Sequence, residues 1–477
     1  MSTLTPLEKW SYAVGNMPFA VKDAAFQSFV VFYYTQVQGL SGTLTGLAMF
    51  IALSWDAVTD PVVGSWCDTV RSRWGRRHPL LLLGGVPTAF LCFALFVPPQ
   101  GLGETGTFFW LLAVCLLLRT FITIYFIPYS AMGAELSRDY DERTDIAKSR
   151  VTMAWVAGMV MPAFAFAVIF RSEGGVDGRL VEANYLVYGL VSCLVAGLTI
   201  LFCVWGTRTV IPRLPTAADN HPRFTLVQPF RDFRAALHNR NFRYKLGASL
   251  TFGMVAGVYY TLSLYLATYF WEFSSNQLAG FIVPTALGTI LAFFSVHRLG
   301  RRYDKAVLLS ASAIAIALTA SGLIGARLLG WLPENGHPLI YFLACVSTCI
   351  STMIIVSLMT LSASLIADIL DEQELATGQR QEGTFFAAGS FIGKATTGMG
   401  TLLAGVVIDL AGIETGSAPG AVSQNVLQSL GGFTIAVVSC LSLVSFWFYS
   451  RINLGRTEHA RILRRLDEKR EAQPAPG

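Results

Sequence analysis

Two aspartates stand inside an apolar segment that is long enough to cross a lipid bilayer. The segment runs from about Thr43 to Val70 and contains Asp56 and Asp60, and a spanning helix needs roughly 20 such residues. Because the aspartates are four residues apart, a helix places them on one face. A carboxylate at membrane depth costs on the order of 3 kcal/mol, and two on one face also repel each other. A bound cation or proton relieves both costs, so the pair predicts a cation site.

The neighbours of these aspartates favour the same chemistry. Thr59 offers a hydroxyl, the kind of neutral oxygen ligand that hard cations accept. Pro61 removes a backbone donor, which tends to kink a helix and to free carbonyl oxygens as further ligands. The alternative is structural: the aspartates would pair with basic residues of neighbouring helices and only hold a bundle together.

Composition assigns the chain to the integral membrane proteins. Of its 477 residues, 53% are hydrophobic and 14% are charged, and the mean hydropathy is +0.53, whereas soluble domains carry about 25% charged residues. The net charge of +5 is not a nucleic-acid signal, because the basic residues concentrate in short loops between apolar spans. The eight cysteines form no C-x-x-C pair, so we expect buried free thiols and no cofactor. We expect no removable signal peptide.

Apolar length and punctuation predict an all-α protein with twelve transmembrane helices. The basic loops place both termini and the central connection in the cytoplasm. Six spans on each side of a long basic connection suggest two pseudo-symmetric six-helix bundles, the architecture of major-facilitator carriers. We therefore divide the chain into an N-terminal bundle (1–206), a central loop (207–243), a C-terminal bundle (244–452) and a tail (453–477). The spans start near Tyr12, Thr43, Leu80, Thr107, Arg150, Asn184, Tyr244, Gln277, Lys305, Pro338, Glu382 and Gln424.

Spans one and four contain further charged residues that a bilayer does not tolerate alone. Asp23 in span one, next to Lys22, could accept hydrogen bonds from a polar solute, or it could form a salt bridge between helices. Adjacent residues point in different directions on a helix, so these two need not pair with each other. Arg119 in span four must meet a carboxylate, a solute anion or water, and Asp23, Asp56 and Asp60 are the candidate carboxylates.

Charges in the predicted cytoplasmic loops and in span eleven have two interpretations each. The loop from Glu135 to Thr144 alternates in sign, and Arg150 follows it deeply enough to be a cavity residue. Lys394 in span eleven either pairs with the aspartates when the cation is absent or extends to the cytoplasmic interface. Carriers that open alternately to each side need ion pairs to close one side, and we assign this gating to Asp68, Arg76, Arg77, Glu135, Arg143 and Asp368.

Three ordered stretches of the chain carry a family resemblance. They are Trp55-Asp56-Ala57-x-Thr59-Asp60-Pro61-x-x-Gly64 with Gly75-Arg76-Arg77, then Ile127-Pro128-Tyr129-Ser130-Ala131-Met132-x-x-Glu135-Leu136, then Ile366-Ala367-Asp368 through Glu382-Gly383 to Lys394. Together they resemble the glycoside–pentoside–hexuronide:cation symporters, the melibiose-carrier family of the major facilitator superfamily. The resemblance covers nearly the whole chain.

The resemblance implies a role for each of the singled-out residues. It implies that Asp56 and Asp60 bind the coupling Na⁺, H⁺ or Li⁺, helped by Thr123. Thr59 stands where melibiose carriers have asparagine, so the choice of ion stays open. The resemblance implies a solute site from Asp23, Lys22, Arg150 and Lys394, to which we add Arg119 and Phe126.

Two departures from the melibiose carriers bear on the solute. Phe126 stands where they have a sugar-binding aspartate, and Ser130 stands where they have a tryptophan. These changes argue against a galactoside and suit a solute with an apolar part and an anionic group. We expect symport of a glycoside, other sugar or hexuronide by alternating access. The alternatives are a lysophospholipid carrier, since the animal sodium–lysophospholipid symporters share the span-two motif, and a non-transporting sensor.

The remaining expectations follow from the fold class. No metalloprotease or Ser/His/Asp constellation appears, so the chain is not expected to be an enzyme. We expect a monomer in the inner membrane of a bacterium, with the lipid bilayer, a small solute and a cation as its partners and no nucleic acid.

Overall fold

The computed structural model describes residues 4–137, 139–214, 237–378 and 382–471, apart from the side chains at 57, 68, 140, 382–388, 390, 391 and 470. These residues are almost entirely helical. Their one β pairing is an isolated bridge between Glu173 and Val176. The all-α architecture predicted from composition is therefore confirmed.

Eight helices precede the central connection. They are α1 (Pro6–Val14), α2 (Met17–Ser28), α3 (Val30–Phe32), α4 (Gly42–Thr69), α5 (His78–Ala94), α6 (Glu104–Glu135), α7 (Tyr140–Phe164) and α8 (Glu182–Gly206). Short π-helical turns continue α3 over Tyr33–Val37 and α7 over Ala165–Ile169. The first predicted span is thus built from three consecutive helical pieces.

Eight further helices follow the central connection. They are α9 (Arg240–Tyr265), α10 (Ser275–Gly280), α11 (Ile282–Gly300), α12 (Lys305–Leu328), α13 (Pro338–Thr377), α14 (Glu382–Ala411), α15 (Gln424–Ser450) and α16 (Arg456–Glu471). A π-helical turn at Leu266–Phe270 extends α9.

Every predicted span start lies in or beside a helix. Within the described ranges, nine helical segments are long and apolar enough to cross a membrane, and α5 is a shorter apolar helix of 17 residues. The charged loop before span five is shorter than its sequence suggests, because the Asp139 side chain accepts a hydrogen bond from the Glu142 N–H and starts α7 ten residues before Arg150. Helix α4 continues through Pro61.

Contacts within the chain divide it into two compact units. The first comprises residues 1–224 with the segments Tyr260–Ile282 and Thr401–Leu427. In this unit α5 packs against α6 and α8, and α4 packs against α6. Helices α5 and α6 approach closely at Gly84, where a Cβ atom would lie 2.4 Å from the Tyr125 nitrogen, so a side chain there would push the two helices apart.

The second unit comprises residues 225–259, 283–400 and 428–477. Helix α12 packs against α13, which ends at Gly378 in the left-handed conformation. The charged tail is helical over α16, which packs against α13. There the His459 ring lies 3.0 Å from Asp371, and Lys469 donates to the Leu375 carbonyl at 2.9 Å. The predicted boundaries at 206 and 244 stay predictions.

Candidate cation and solute site

The two aspartates of α4 face α6, and each contacts a different side chain of that helix. Arg119 Nη1 donates to Asp56 Oδ2 at 2.8 Å, and Thr123 Oγ1 donates to Asp60 Oδ1 at 3.1 Å. The contacts repeat with the same spacing on both helices, because each pair of residues is separated by four positions, about one helical turn. The α4–α6 interface therefore fixes the position of both carboxylates.

A third contact sets the register at one end of this interface. Trp55 Nε1 donates to Thr120 Oγ1 at 2.9 Å, and Thr120 in turn donates to the Leu116 carbonyl. Thr59 Oγ1 donates to the Trp55 carbonyl at 3.3 Å. The Thr59 oxygen keeps its lone pairs for another partner.

The Asp56–Arg119 pair is almost fully removed from solvent. Only 7% of the Asp56 side chain and 6% of the Arg119 side chain are exposed. The Arg119 guanidinium also lies over the Phe26 ring of α2, with 5.1 Å between the guanidinium carbon and the ring centroid. A buried charge pair of this kind is costly to break by removing one member, because the other charge is then left uncompensated.

Lys22 and Asp23 form a second ion pair on α2. Lys22 Nζ lies 2.7 Å from Asp23 Oδ1, although adjacent helical residues point in different directions. The long lysine stem bends to reach the carboxylate, because its buried ammonium needs a counter-ion. The Lys22 side chain is 3% exposed, whereas Asp23 is 36% exposed, so Asp23 is the accessible member of the pair.

An aromatic wall lies beside this pair. The Lys22 ammonium is 4.2 Å from the Phe19 ring centroid, and Phe19 stacks on Phe126 with 4.4 Å between the ring centroids. Phe126 is partly exposed. An apolar surface therefore adjoins a charged one in this part of the first unit.

The two ion pairs belong to one electrostatic cluster. The Lys22 charge interacts with those of Asp23, Arg119 and Asp56. Together with Asp60, these side chains carry one net negative charge when all are ionised. One monovalent cation or one proton balances that charge. No three His, Cys, Asp or Glu side chains converge on a metal-binding geometry anywhere in the described part of the chain.

The remaining predicted solute residues lie in α7 and α14. Arg150 Nη1 donates to Ser130 Oγ at 3.0 Å, and the Arg150 carbonyl accepts from Asn16. This places Arg150 beside α1 and α6 in the first unit. Lys394 is half-buried in α14 and belongs to the second unit.

Four of the predicted gating residues lie at the C-terminal end of α6. Arg76 and Arg77 each donate to the Glu135 carboxylate, at 2.5 and 2.6 Å. Arg143 instead donates to the carbonyls of Ser137 and Ala134, both at 2.8 Å, and so closes the end of the helix. The Asp68 side chain lies outside the described residues.

The second unit repeats this arrangement with different residues. Lys305 at the start of α12 donates to both oxygens of Asp368 in α13, at 2.8 and 2.6 Å. In both units, a basic residue at or just before the start of the third predicted span thus pairs with a carboxylate in the C-terminal part of the fourth. The sequence shows that Lys305 is charged, but it does not show that Asp368 is its partner.

A further carboxylate, which the sequence did not single out, caps the start of α4. Asp409 accepts hydrogen bonds from the backbone N–H groups of Gly42 and Thr43 at 2.7 and 2.8 Å, and from Thr43 Oγ1 at 2.6 Å. Gly405 makes this approach possible, since a Cβ atom there would lie 2.0 Å from the Gly42 oxygen. The contact lies at the end of the first unit that is predicted to face outward.

Arg179 is a second functional candidate that sequence analysis missed. It is 2% exposed, pairs with Asp177 and donates to Thr268 Oγ1 at 2.9 Å. Nearby, Tyr269 donates to Gln36 Oε1 at 2.8 Å. Arg179 is one of the few basic residues in the predicted outer loops. That unusual position was the sequence signal that could have singled it out.

Comparison with known proteins identifies the family. The family model described as MFS/sugar transport protein matches residues 11–456, so the chain belongs to that family. An uncharacterised symporter of Synechocystis is 24% identical over 484 residues, 85% of each chain. A putative glycoside/cation symporter of Escherichia coli is 24% identical and covers 86% of this chain and 84% of its own. The chicken sodium-dependent lysophosphatidylcholine symporter 1 is 23% identical and covers 98% and 90%.

Solved structures agree on the fold. The D-xylose–proton symporter matches 94% of this chain and 98% of its own with a TM-score of 0.63 at 16% identity. Together with the family match over residues 11–456 and the apolar helices, this makes the protein a multi-pass major-facilitator transporter and not an enzyme. It is a secondary transporter, and the relatives that it resembles are named as symporters.

Proposed function

We propose that the protein couples the uptake of a glycoside or hexuronide to one Na⁺ ion bound at Asp56 and Asp60. The observation that carries the proposal is the α4–α6 interface, where the two carboxylates are held by Arg119 and Thr123 at 2.8 and 3.1 Å. Oxygen ligands of this kind suit a hard monovalent cation. A net charge of one negative in the cluster supports a single coupling ion.

The solute site is proposed next to the ion site. Asp23 is the exposed carboxylate of the cluster and can accept hydrogen bonds from sugar hydroxyls. Lys22 and Arg119 add positive charge for an acidic sugar. Arg150 and Phe126 complete the proposed set within the first unit, and the role of Lys394 stays a prediction.

Alternating access needs contacts that break when the outer end opens. The bonds from α4 to Asp409 and the Arg179–Thr268 bond join segments from opposite halves of the sequence. We assign them to closure of the outer end. We assign the Glu135 and Asp368 ion pairs to closure of the opposite end, which we propose faces the cytoplasm of a bacterial cell.

The aromatic wall favours a second candidate, Na⁺-coupled transport of a lysophospholipid. Phe19 and Phe126 stack 4.4 Å apart beside the Lys22 ammonium, which suits a solute with an apolar part and an anionic group. The chicken relative is named for such a substrate.

Thermal stabilisation of the purified protein separates the two candidates. Glycosides, hexuronides and lysolipids are each tested with and without Na⁺ at two pH values, with choline replacing Na⁺ at constant ionic strength. Stabilisation by a sugar that Na⁺ enhances supports the first proposal. Stabilisation by lysolipids alone supports the second proposal. If acid pH instead of Na⁺ enhances the stabilisation by a solute, the coupling ion is a proton.

A further inference from the structure

Arg119 binds Asp56, one of the two carboxylates proposed to hold the coupling cation. Its guanidinium bonds to Asp56 Oδ2 at 2.8 Å in a pair that is almost wholly buried, so Asp56 already has a counter-ion. We propose, on the basis of the cation site proposed above, that Arg119 is a tethered competitor of the coupling cation. It holds Asp56 while the cation is absent, and it moves off Asp56 when the cation binds.

The displaced guanidinium has a place to go. It already lies 5.1 Å from the Phe26 ring centroid on α2, and Asp23 is three residues from Phe26, on the same face of that helix. Asp23 is also the more exposed carboxylate, at 36% against 7% for Asp56. Cation binding therefore shifts a positive charge from the ion site towards the proposed solute site.

This movement couples the two ligands. A solute that presents carboxylate or hydroxyl oxygens near Asp23 gains a donor when Arg119 arrives, and it thereby helps to keep Arg119 away from Asp56. By linkage, the solute then raises the affinity for the cation by the same factor as the cation raises the affinity for the solute. A cation-free carrier keeps Asp56 neutralised and does not need to bury a bare carboxylate.

Two other roles for Arg119 make different predictions. A residue that only binds solute would, when replaced, weaken solute binding at every cation concentration and leave cation affinity unchanged. A residue that only holds α4 to α6 would, when replaced, lower the melting temperature without tightening cation binding. Of these three roles, only the competitor predicts that cation affinity rises when Arg119 is removed. Simple repulsion of the cation by a fixed positive charge would also raise the affinity of Arg119→Gln, but it would leave that of the charge-conserving Arg119→Lys unchanged.

The test is calorimetric titration of Na⁺ into the purified full chain, with choline keeping the ionic strength constant. Arg119→Gln should bind Na⁺ roughly tenfold or more tightly than the wild type, and Na⁺ should enhance its solute affinity less. Arg119→Lys keeps the charge but loses the planar fork, so its Na⁺ affinity should rise by a smaller factor. Thr120→Ser is the matched control: it alters the neighbouring side chain of α6 but keeps the hydroxyl that accepts from Trp55 and changes no charge, and its Na⁺ affinity should equal that of the wild type.

Unchanged or weaker cation binding in both Arg119 variants overturns the proposal. If Arg119→Gln does not fold, Arg119→Lys decides alone. If the wild type responds to pH instead of Na⁺, the same comparison is made with proton affinity, which should rise in both variants. Cation-enhanced solute binding by the wild type is measured in parallel. If it is present, failure of the Arg119 prediction leaves the proposed function standing, and its absence refutes the proposed function itself.

Discussion

Arg119 and Asp56 bind each other at 2.8 Å inside the protein, one helical turn from the contact between Thr123 and Asp60. The two contacts give chemically different surroundings to two identical carboxylates. One has a guanidinium counter-ion, and the other accepts from a hydroxyl. The proposed cation site is therefore asymmetric, and replacements on its two sides should have different effects.

Replacing Thr123 should weaken cation binding by a modest factor. Thr123→Val removes the hydroxyl that contacts Asp60 but keeps the shape of the side chain. A hydrogen bond of this kind contributes about 0.5–1.5 kcal/mol, so we expect a loss of roughly two- to tenfold in cation affinity. Thr123→Ser retains the hydroxyl and serves as the control. Equal affinity for the serine and valine variants, measured by Na⁺ titration, would remove Thr123 from the site.

Replacing Asp23 should separate solute binding from cation binding. Asp23→Asn keeps the size of the side chain but removes the accepting charge and leaves Lys22 without its ion pair. We expect solute affinity to fall by tenfold or more, about 1.4 kcal/mol or greater, and cation affinity to fall by a smaller factor, because the cluster loses one negative charge. The measurement is solute binding by the purified protein at saturating cation. Undiminished solute affinity in this variant would contradict the proposed solute site.

Removing the cap on α4 should favour opening of the outer end. Asp409→Ala loses three hydrogen bonds to Gly42 and Thr43. The expected result is faster reaction of a cysteine at position 36, which replaces the buried Gln36, with a membrane-impermeant maleimide. The eight native cysteines are replaced first in both backgrounds. The same labelling rate with and without Asp409 would show that this contact does not close the outer end.

Glu8 should make the stability of the first unit depend on pH. Burial alone raises the pKa of Glu8, but bonds from Thr209 and Thr5 and the charge of Arg213 outweigh it, so the pKa falls below its ordinary value of 4.5. A lowered folded pKa means that the stabilisation is present above the unfolded pKa and is lost as pH falls through the folded value.

The corresponding variant is Glu8→Gln, with melting temperature in detergent as the measurement. At pH 7 it should melt below the wild type, by an amount that reflects about 1 kcal/mol. The difference should shrink as the pH falls below 4.5. A difference that stays constant from pH 7 down to pH 4 would mean that the Glu8 charge does not stabilise the fold.

Sequence reasoning reached the fold, but it did not reach the pairings of the residues proposed for the site. Helical periodicity alone places Asp56 and Asp60 on one face, and apolar length predicts the twelve spans. It left Arg119 with three candidate carboxylates, because the partner depends on the register between α4 and α6, which is set by contacts such as Trp55–Thr120. Asp409 was missed for a related reason: an exposed carboxylate near a helix end is common, and only the Gly42–Gly405 approach gives this one a partner.

Local side-chain conformations could not be predicted from the sequence either. Lys22 bends to the adjacent Asp23 because burial leaves its ammonium in need of a counter-ion. Asp139 starts α7 early by capping it. Both effects depend on burial or backbone geometry that composition does not report.

The central claim is that Asp56 and Asp60 bind the cation that drives transport. Its most direct test is solute uptake by proteoliposomes under an inward Na⁺ gradient, for the wild type and for Asp60→Asn, with choline-filled controls and an imposed pH gradient as the comparison. The account predicts gradient-driven accumulation by the wild type and none by Asp60→Asn, which should still exchange solute without net accumulation. Accumulation by Asp60→Asn with undiminished dependence on the cation would contradict it.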